Sequence, residues 1–271
     1  MDADVTVVTL TCRRPRLLHR AVRSVRAQDF PGSIAHLVIA DDCAASIASL
    51  EGAPSFPNRL LVTHLEPRAI GEAPSERPAR AVVYPRVARL LNLGAGMARS
   101  RWLAFLDDDN EYEPDHIRTL VACANRHRAA AVHSFRRVFH ADGRPYLDAV
   151  FPWARDPGDG ARIYELMCER GVWVRHSNIL KDRAGPWGLT RFRNSTIQSA
   201  NDPVFMVDTS VWLLDRDLQL VHSWPEQYTT EHARDNAAPD DLLLEVLLKA
   251  GVRIVASGRP TLRYYLGGIS N

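Results

Sequence analysis

The chain has 271 residues, 46% of them hydrophobic and 24% charged, enough apolar material for one large or two small domains with a buried core. Its 34 basic and 32 acidic side chains nearly cancel, so nothing global points to nucleic acid or to a membrane surface. No apolar run approaches membrane-spanning length, and the acidic start Met1-Asp2-Ala3-Asp4 lacks the basic region of a signal peptide. Cys12, Cys43, Cys123 and Cys168 are scattered without the spacing of a zinc site or disulfide framework, which suits a reduced, cytoplasmic compartment.

Val5 to Leu10 is an apolar, β-branched run and predicts the first strand. Thr11-Cys12-Arg13-Arg14-Pro15 makes the turn, with Pro15 at a helix start, and Leu17, Leu18, Ala21, Val22 and Val25 recur at helical spacing. His36 to Ala40 predicts a second strand running into Asp41-Asp42, and this strand–helix–strand order implies a parallel crossover. Leu60 to Leu65 reads as a third strand. Residues 66–80, rich in Pro, Glu and Arg, read as a surface loop or lid. Val82 to Leu93 predicts a helix, with Gly94 its expected C-cap.

Trp102-Leu103-Ala104-Phe105-Leu106 then runs straight into Asp107-Asp108-Asp109-Asn110. A short unbroken apolar run suits a strand buried on both faces, and its carboxyl end is where open α/β sheets bind ligands. Three adjacent carboxylates repel one another. A divalent cation such as Mn2+ or Mg2+ offsets that repulsion through hard oxygen ligands, keeping waters and substrate phosphates in its shell.

His116 to His127 predicts the next helix, Ala131 to Phe139 a strand, Asp142-Gly143 a turn, and Tyr146 to Val150 the second arm of a hairpin. Arg162 to Arg170 reads as a short helix, and Gly171 to Ile179 and Val204 to Asp208 as strands. Pro239 opens a helix through Lys249 with Leu242, Leu243, Val246 and Leu247 facing the core, before short strands at Val252–Ala256 and Leu262–Leu266. The expectation is one continuous α/β domain with a mostly parallel central sheet and flanking helices.

Four features, in order, resemble the family-2 glycosyltransferases of GT-A fold. They are the opening strand with Thr11-Cys12-Arg13-Arg14-Pro15, the strand-end Asp41-Asp42, the Asn92-x-Gly94 helix end, and Phe105-Leu106-Asp107-Asp108-Asp109. Pro239-Asp240-Asp241-Leu242 resembles the family's Glu-Asp-x-x-Leu helix start. Two departures stand out: Leu91 replaces an Arg common before the Asn, and the C-terminal segment lacks the family's metal-completing His, for which His222 or His232 are substitutes.

The resemblance implies transfer of a sugar from a nucleotide-sugar, a UDP-sugar by family habit, to an acceptor hydroxyl with inversion. Thr11, Arg13, Asp41, Asp42, Asp107 and Asp108 would contact the nucleotide-sugar, with Asp41 or Asp42 on the base and Asp108 towards the sugar. Asp109 and Asp107 would hold the Mn2+ or Mg2+. A carboxylate must take the acceptor's proton, with Asp241 the first choice, Asp240 the second and Glu231 the third. Residues 1–130 form the nucleotide-sugar half and 131–271 the acceptor and base half, where Trp153, Trp173, Trp187, Trp212 and Trp224 offer aromatic faces. The expected partners are the donor and an acceptor that is a small molecule, peptide or glycan, with a homodimer left open. Two rivals are a nucleotidyltransferase making nucleotide-sugars, disfavoured because the first turn has no glycine, and a non-catalytic nucleotide-binding module.

Overall fold

The computed structural model describes residues 3–41, 43–50, 59–63, 79–154, 156–185, 192–193, 196–197, 205–234 and 237–267. The first half alternates strands and helices: β1 (Val5–Thr11), α1 (Pro15–Arg26), β2 (Ile34–Asp41), α2 (Ala44–Ala48), β3 (Arg59–Thr63), α3 (Ala79–Met97), β4 (Trp102–Phe105), β5 (Glu111–Tyr112) and α4 (His116–His127). The second half holds β6 (Ala131–Phe139), α5 (Pro157–Glu169), β7 (Ile179–Leu180), β8 (Phe192–Arg193), β9 (Thr196–Ile197), β10 (Trp212–Asp215), α6 (Arg216–Val221), α7 (Thr230–Arg234), α8 (Pro239–Lys249) and β11 (Ile254–Tyr265).

One sheet crosses both halves in the order β3-β2-β1-β4-β10-β6-β11-β5, with β7 also on β6. The β3-β2-β1-β4 portion is parallel, as expected. Beyond it the sheet is mixed. β10 runs antiparallel to both β4 and β6, β11 is parallel to β6, and β5 and β7 are antiparallel. The sequence reading missed β10, whose four residues are too short for a period. Its insertion between β4 and β6 brings the second half against the acidic strand.

Other differences have local causes. The expected strands at Val252–Ala256 and Leu262–Leu266 are one strand, β11, with register shifts around Pro260, which cannot donate to the ladder. Tyr146 to Val150 forms no strand: Pro145 just before it bridges to Phe139, and Tyr146 N donates to Val138 O at 3.0 Å, so the expected hairpin arm is a loop. Gly171 to Ile179 likewise contributes only β7 and a bridge at Trp173. The expected surface loop at residues 66–80 falls mainly outside the described residues.

Gly94 lies inside α3, which continues to Met97, so it is not a C-cap. It permits close approach of α3 to the sheet: a Cβ there would stand 2.6 Å from Val8 Cγ1 and 3.3 Å from Ile39 Cδ1. Gly94→Ala is expected to cost about 1–3 kcal/mol by overpacking. A chemical-denaturation midpoint checks this.

The main core joins β1, β2, β4, β6 and β10 to α1, α3, α4 and α8, with Trp212 and Trp224 fully buried. A second cluster around Tyr146, Phe151, Tyr164, Met167 and Trp173 packs under β6 and β7. Three histidines are buried as well, and burial pushes His36 and His116 down to about 3 and His133 to about 4. They stay neutral in the fold, whereas in the unfolded chain they take up protons near 6.5. Below that value the unfolded state binds more protons, so each histidine removes stability as pH falls towards its folded value, by up to about 1.4 kcal/mol per pH unit. The stability advantage of wild type over His36→Gln should therefore shrink at about that rate between pH 6 and pH 4. A constant difference in urea titrations would refute it.

Candidate active site

β4 delivers its three carboxylates to different surroundings. Asp108 is fully buried; Thr11 Oγ1 donates to its Oδ2 at 2.7 Å, and Arg14 pairs with its Oδ1 at 2.6 Å. Burial raises its pKa to about 6 against the pull of Arg14 and Thr11. Asp109 is 14% exposed; one oxygen accepts from Arg14 at 2.8 Å, and its carbonyl accepts from Arg20, which lies over the Tyr265 ring. Asp107 is half-buried and bonded to Ser210. Its pKa stands well above the carboxylate range because of burial, then the charges of Asp208 and Asp109.

The second half supplies the opposing wall. Asp208 caps a 3-10 turn at Thr209–Val211, accepting from Ser210 N at 2.9 Å. Its other oxygen accepts from the buried Arg136 at 2.7 Å, and Arg136 also pairs with Asp182 at 3.0 Å. Burial raises Asp208 and carries Asp182 up to about 7, opposed in both by Arg136. Arg136→Met would leave two buried carboxylates without their counter-charge. It should cost roughly 3–5 kcal/mol, read as a fall in the unfolding midpoint.

Asp240 and Asp241 open α8. Asp241 Oδ2 accepts from Ala238 N at 2.9 Å, a capping contact at the helix start. Asp240 is raised well above its ordinary value by burial, then Asp241 and Asp208, with Arg136 opposing. It therefore lies within electrostatic reach of the Arg136–Asp208 pair.

Several expected site residues sit differently. Asp41 accepts a two-pronged ion pair from Arg86 of α3, with Nε at 2.8 and 2.9 Å from its two oxygens. Asp108 is turned inward, accepting from Thr11 Oγ1 and pairing with Arg14. Arg13 is exposed in the left-handed region at φ 56°. Glu231 is exposed in the first turn of α7. Asp42 and Trp187 lie outside the described residues. Trp173, Trp212 and Trp224 are core residues, so their faces are not open to an acceptor. Trp153 is half-buried, edge-on to Tyr264 at 5.5 Å and 5.4 Å from the Arg136 guanidinium. Among the described residues no three His, Cys, Asp or Glu side chains form a metal-holding group, so neither His222 nor His232 completes one there.

Arg14, Arg136, Asp208 and Ser210 were not anticipated, though the sequence carries signals for them. Arg14 is a cation at a helix N-terminus, where the dipole disfavours it unless an anion is near. Adjacent Arg136 and Arg137 in a strand must face opposite sides, which sends one inward to find carboxylates. Asp208-Thr209-Ser210 has the spacing of a capped turn.

A mixed α/β sheet of this order, with carboxylates at the end of β4, defines a GT-A fold. The description "Glycosyl transferase family 2" matches residues 85–218, and over that span the chain is similar to that family. Succinoglycan biosynthesis protein ExoO of Rhizobium meliloti (strain 1021) is 30% identical over 142 residues, 52% of this chain and 35% of that protein. Among solved structures, S. aureus TarS 1–349 in complex with UDP-GlcNAc superimposes with a TM-score of 0.54 at 13% identity, covering 98% of this chain and 59% of that one. The mannosyltransferase PcManGT from Pyrobaculum calidifontis, in complex with GDP-Man and Mn2+, gives 0.52 at 14% identity, covering 99% and 59%. This chain thus spans less than two thirds of the length of these relatives. No helix among the described residues is long and apolar enough to cross a membrane.

Proposed function

We propose that this chain transfers a sugar from a nucleotide-sugar, with UDP as the nucleotide, to an acceptor hydroxyl, with Mn2+ or Mg2+ and with inversion. Residues 1–130 take the donor and residues 131–271 the acceptor, in the cytoplasm. One observation carries the reading. Carboxylates from two halves of the chain act on one another: Asp208 and Asp109 raise the proton affinity of Asp107, Asp109 raises that of Asp208, and Asp208 raises that of Asp240. The nucleotide-sugars of the TarS and PcManGT complexes, and the Mn2+ of the latter, support the same substrate class.

The donor set fits a hard divalent cation. Asp107 and Asp109 offer only oxygens, they are crowded and desolvated, and too few to satisfy the ion without water and phosphate. Such a cation, when bound, offsets the charge that grows on the leaving diphosphate. Asp109 and Asp107 would hold it, and Arg14 lies beside them to meet phosphate oxygens. On the other side Asp240 takes the acceptor proton as the acceptor oxygen bonds to the anomeric carbon. The bond from that carbon to the diphosphate oxygen breaks, and the nucleoside diphosphate leaves with the electron pair. A raised proton affinity suits this base, because it brings the carboxylate towards the operating pH.

The test is a panel of UDP-, GDP- and dTDP-sugars with Mn2+, followed for nucleoside diphosphate release. UDP release from a UDP-sugar, abolished by chelation, is the expected result. Pyrophosphate formed from a nucleoside triphosphate and a sugar phosphate would replace this reading with a nucleotidyltransferase. Nucleotide binding without turnover of any donor would replace it with a binding module.

A further inference from the structure

Ser210 belongs to the second half of the chain, yet its hydroxyl is spent entirely on the acidic end of β4. It accepts from Asp107 N at 3.1 Å and from Asn110 Nδ2 at 3.3 Å, and donates to Asp107 Oδ2 at 3.0 Å. A hydroxyl has one proton and two lone pairs. All three are used, so the proton has one place to point and Asp107 Oδ2 is pinned. Asp107 Oδ1 carries no hydrogen bond among the described residues.

Ser210 is itself held. It is fully buried, and its N–H donates to Asp208 Oδ1 at 2.9 Å. Asp208 is locked by Arg136 Nη1 at 2.7 Å, and its own N–H donates to Asp182 Oδ1 at 3.1 Å. Asn110 closes the ring, since its Oδ1 accepts from Tyr265 N of β11 at 3.0 Å. The side chain of Asp107 is thus oriented by Ser210, from the turn before β10, and by Asn110 of its own turn, which β11 holds through Tyr265 N.

We propose that Ser210 is the positioning residue for Asp107, fastened by the Arg136–Asp208 pair, so that the acceptor half sets the geometry with which the site grips a divalent cation and its diphosphate. This rests on the reading of Asp107 and Asp109 as cation-side carboxylates. Groups that orient metal-binding carboxylates are worth roughly 10–100-fold in metal affinity.

The test measures Mn2+ binding by electron paramagnetic resonance, with and without UDP, in wild type, Ser210→Ala, Ser210→Thr and Asp109→Asn. Melting temperatures serve as the folding control. Ser210→Ala is expected to weaken Mn2+ binding about tenfold or more. The Mn2+ concentration needed for half-maximal turnover should rise by a similar factor, because the carboxylate remains and its aim is lost. Ser210→Thr keeps the hydroxyl and should restore affinity. Wild-type Mn2+ affinity in Ser210→Ala, alongside its loss in Asp109→Asn, overturns the positioning role while leaving the cation site standing. Unchanged affinity in both variants means that the cation reading has failed and takes this inference with it. Equal weakening in the Ala and Thr variants, with both folded, also overturns it, since the hydroxyl would then not be the cause.

Discussion

Asp109→Asn should lower donor turnover about a thousandfold at saturating donor and remove its dependence on Mn2+. The side chain keeps its size and one oxygen but loses the charge that a divalent cation needs from a site with so few ligands. A cation on a leaving diphosphate is worth several kcal/mol in the transition state, and about 4 kcal/mol corresponds to a thousandfold in rate. Folding should be little affected. Asp109 is 14% exposed, whereas Asp108 is fully buried, and Arg14 retains its pairing with Asp108. The measurement is UDP release against Mn2+ concentration, with the melting temperature alongside. Full activity with an unchanged Mn2+ profile would contradict the proposed role.

The second large effect separates two neighbours. Asp240→Asn is expected to reduce kcat by about 10²–10⁴, the usual worth of a positioned general base, with donor KM nearly unchanged. Asp241→Asn should retain more activity and instead lose stability, by about 1 kcal/mol, because Asp241 Oδ2 receives the Ala238 N–H at the start of α8. The resemblance to the family's helix start ranks Asp241 first. We rank Asp240 first instead, because the charges of Asp208 and Arg136 reach it. Single-turnover rates and denaturation midpoints of the two variants, measured together, decide between them. A larger kcat loss in Asp241→Asn than in Asp240→Asn would restore the sequence-based ranking.

Much of the first half was legible because its signals are local. β4 is an unbroken apolar run, β1 and β2 are mostly apolar and β-branched as covered strands are, and α1 opens at Pro15 as its position requires. α4, β6 and α8 match their expected spans residue for residue. Gly94 was misread because a glycine near a helix end has two explanations, a cap or a close approach. Only the distance to Val8 distinguishes them. The tryptophans allowed two readings, with the core as the default, because aromatic surface looks the same in sequence whether a core or a ligand covers it. Three of the five are covered by the core.

The order of apolar runs, turns and strand-end acids determined, without any coordinates, that this is a parallel β/α half carrying an acidic strand end. Those properties depend on neighbours a few residues apart, where backbone geometry dictates which side chains share a face. What lies across from that acidic end depends on tertiary structure alone. Insertion of β10 beside β4 brings Ser210 to Asp107, 103 residues away, and Arg136 to Asp208, 72 residues away. Burial then decides the rest, because a carboxylate withdrawn from water must find a cation, a donor or a proton, and which of these it finds is set by packing between distant segments.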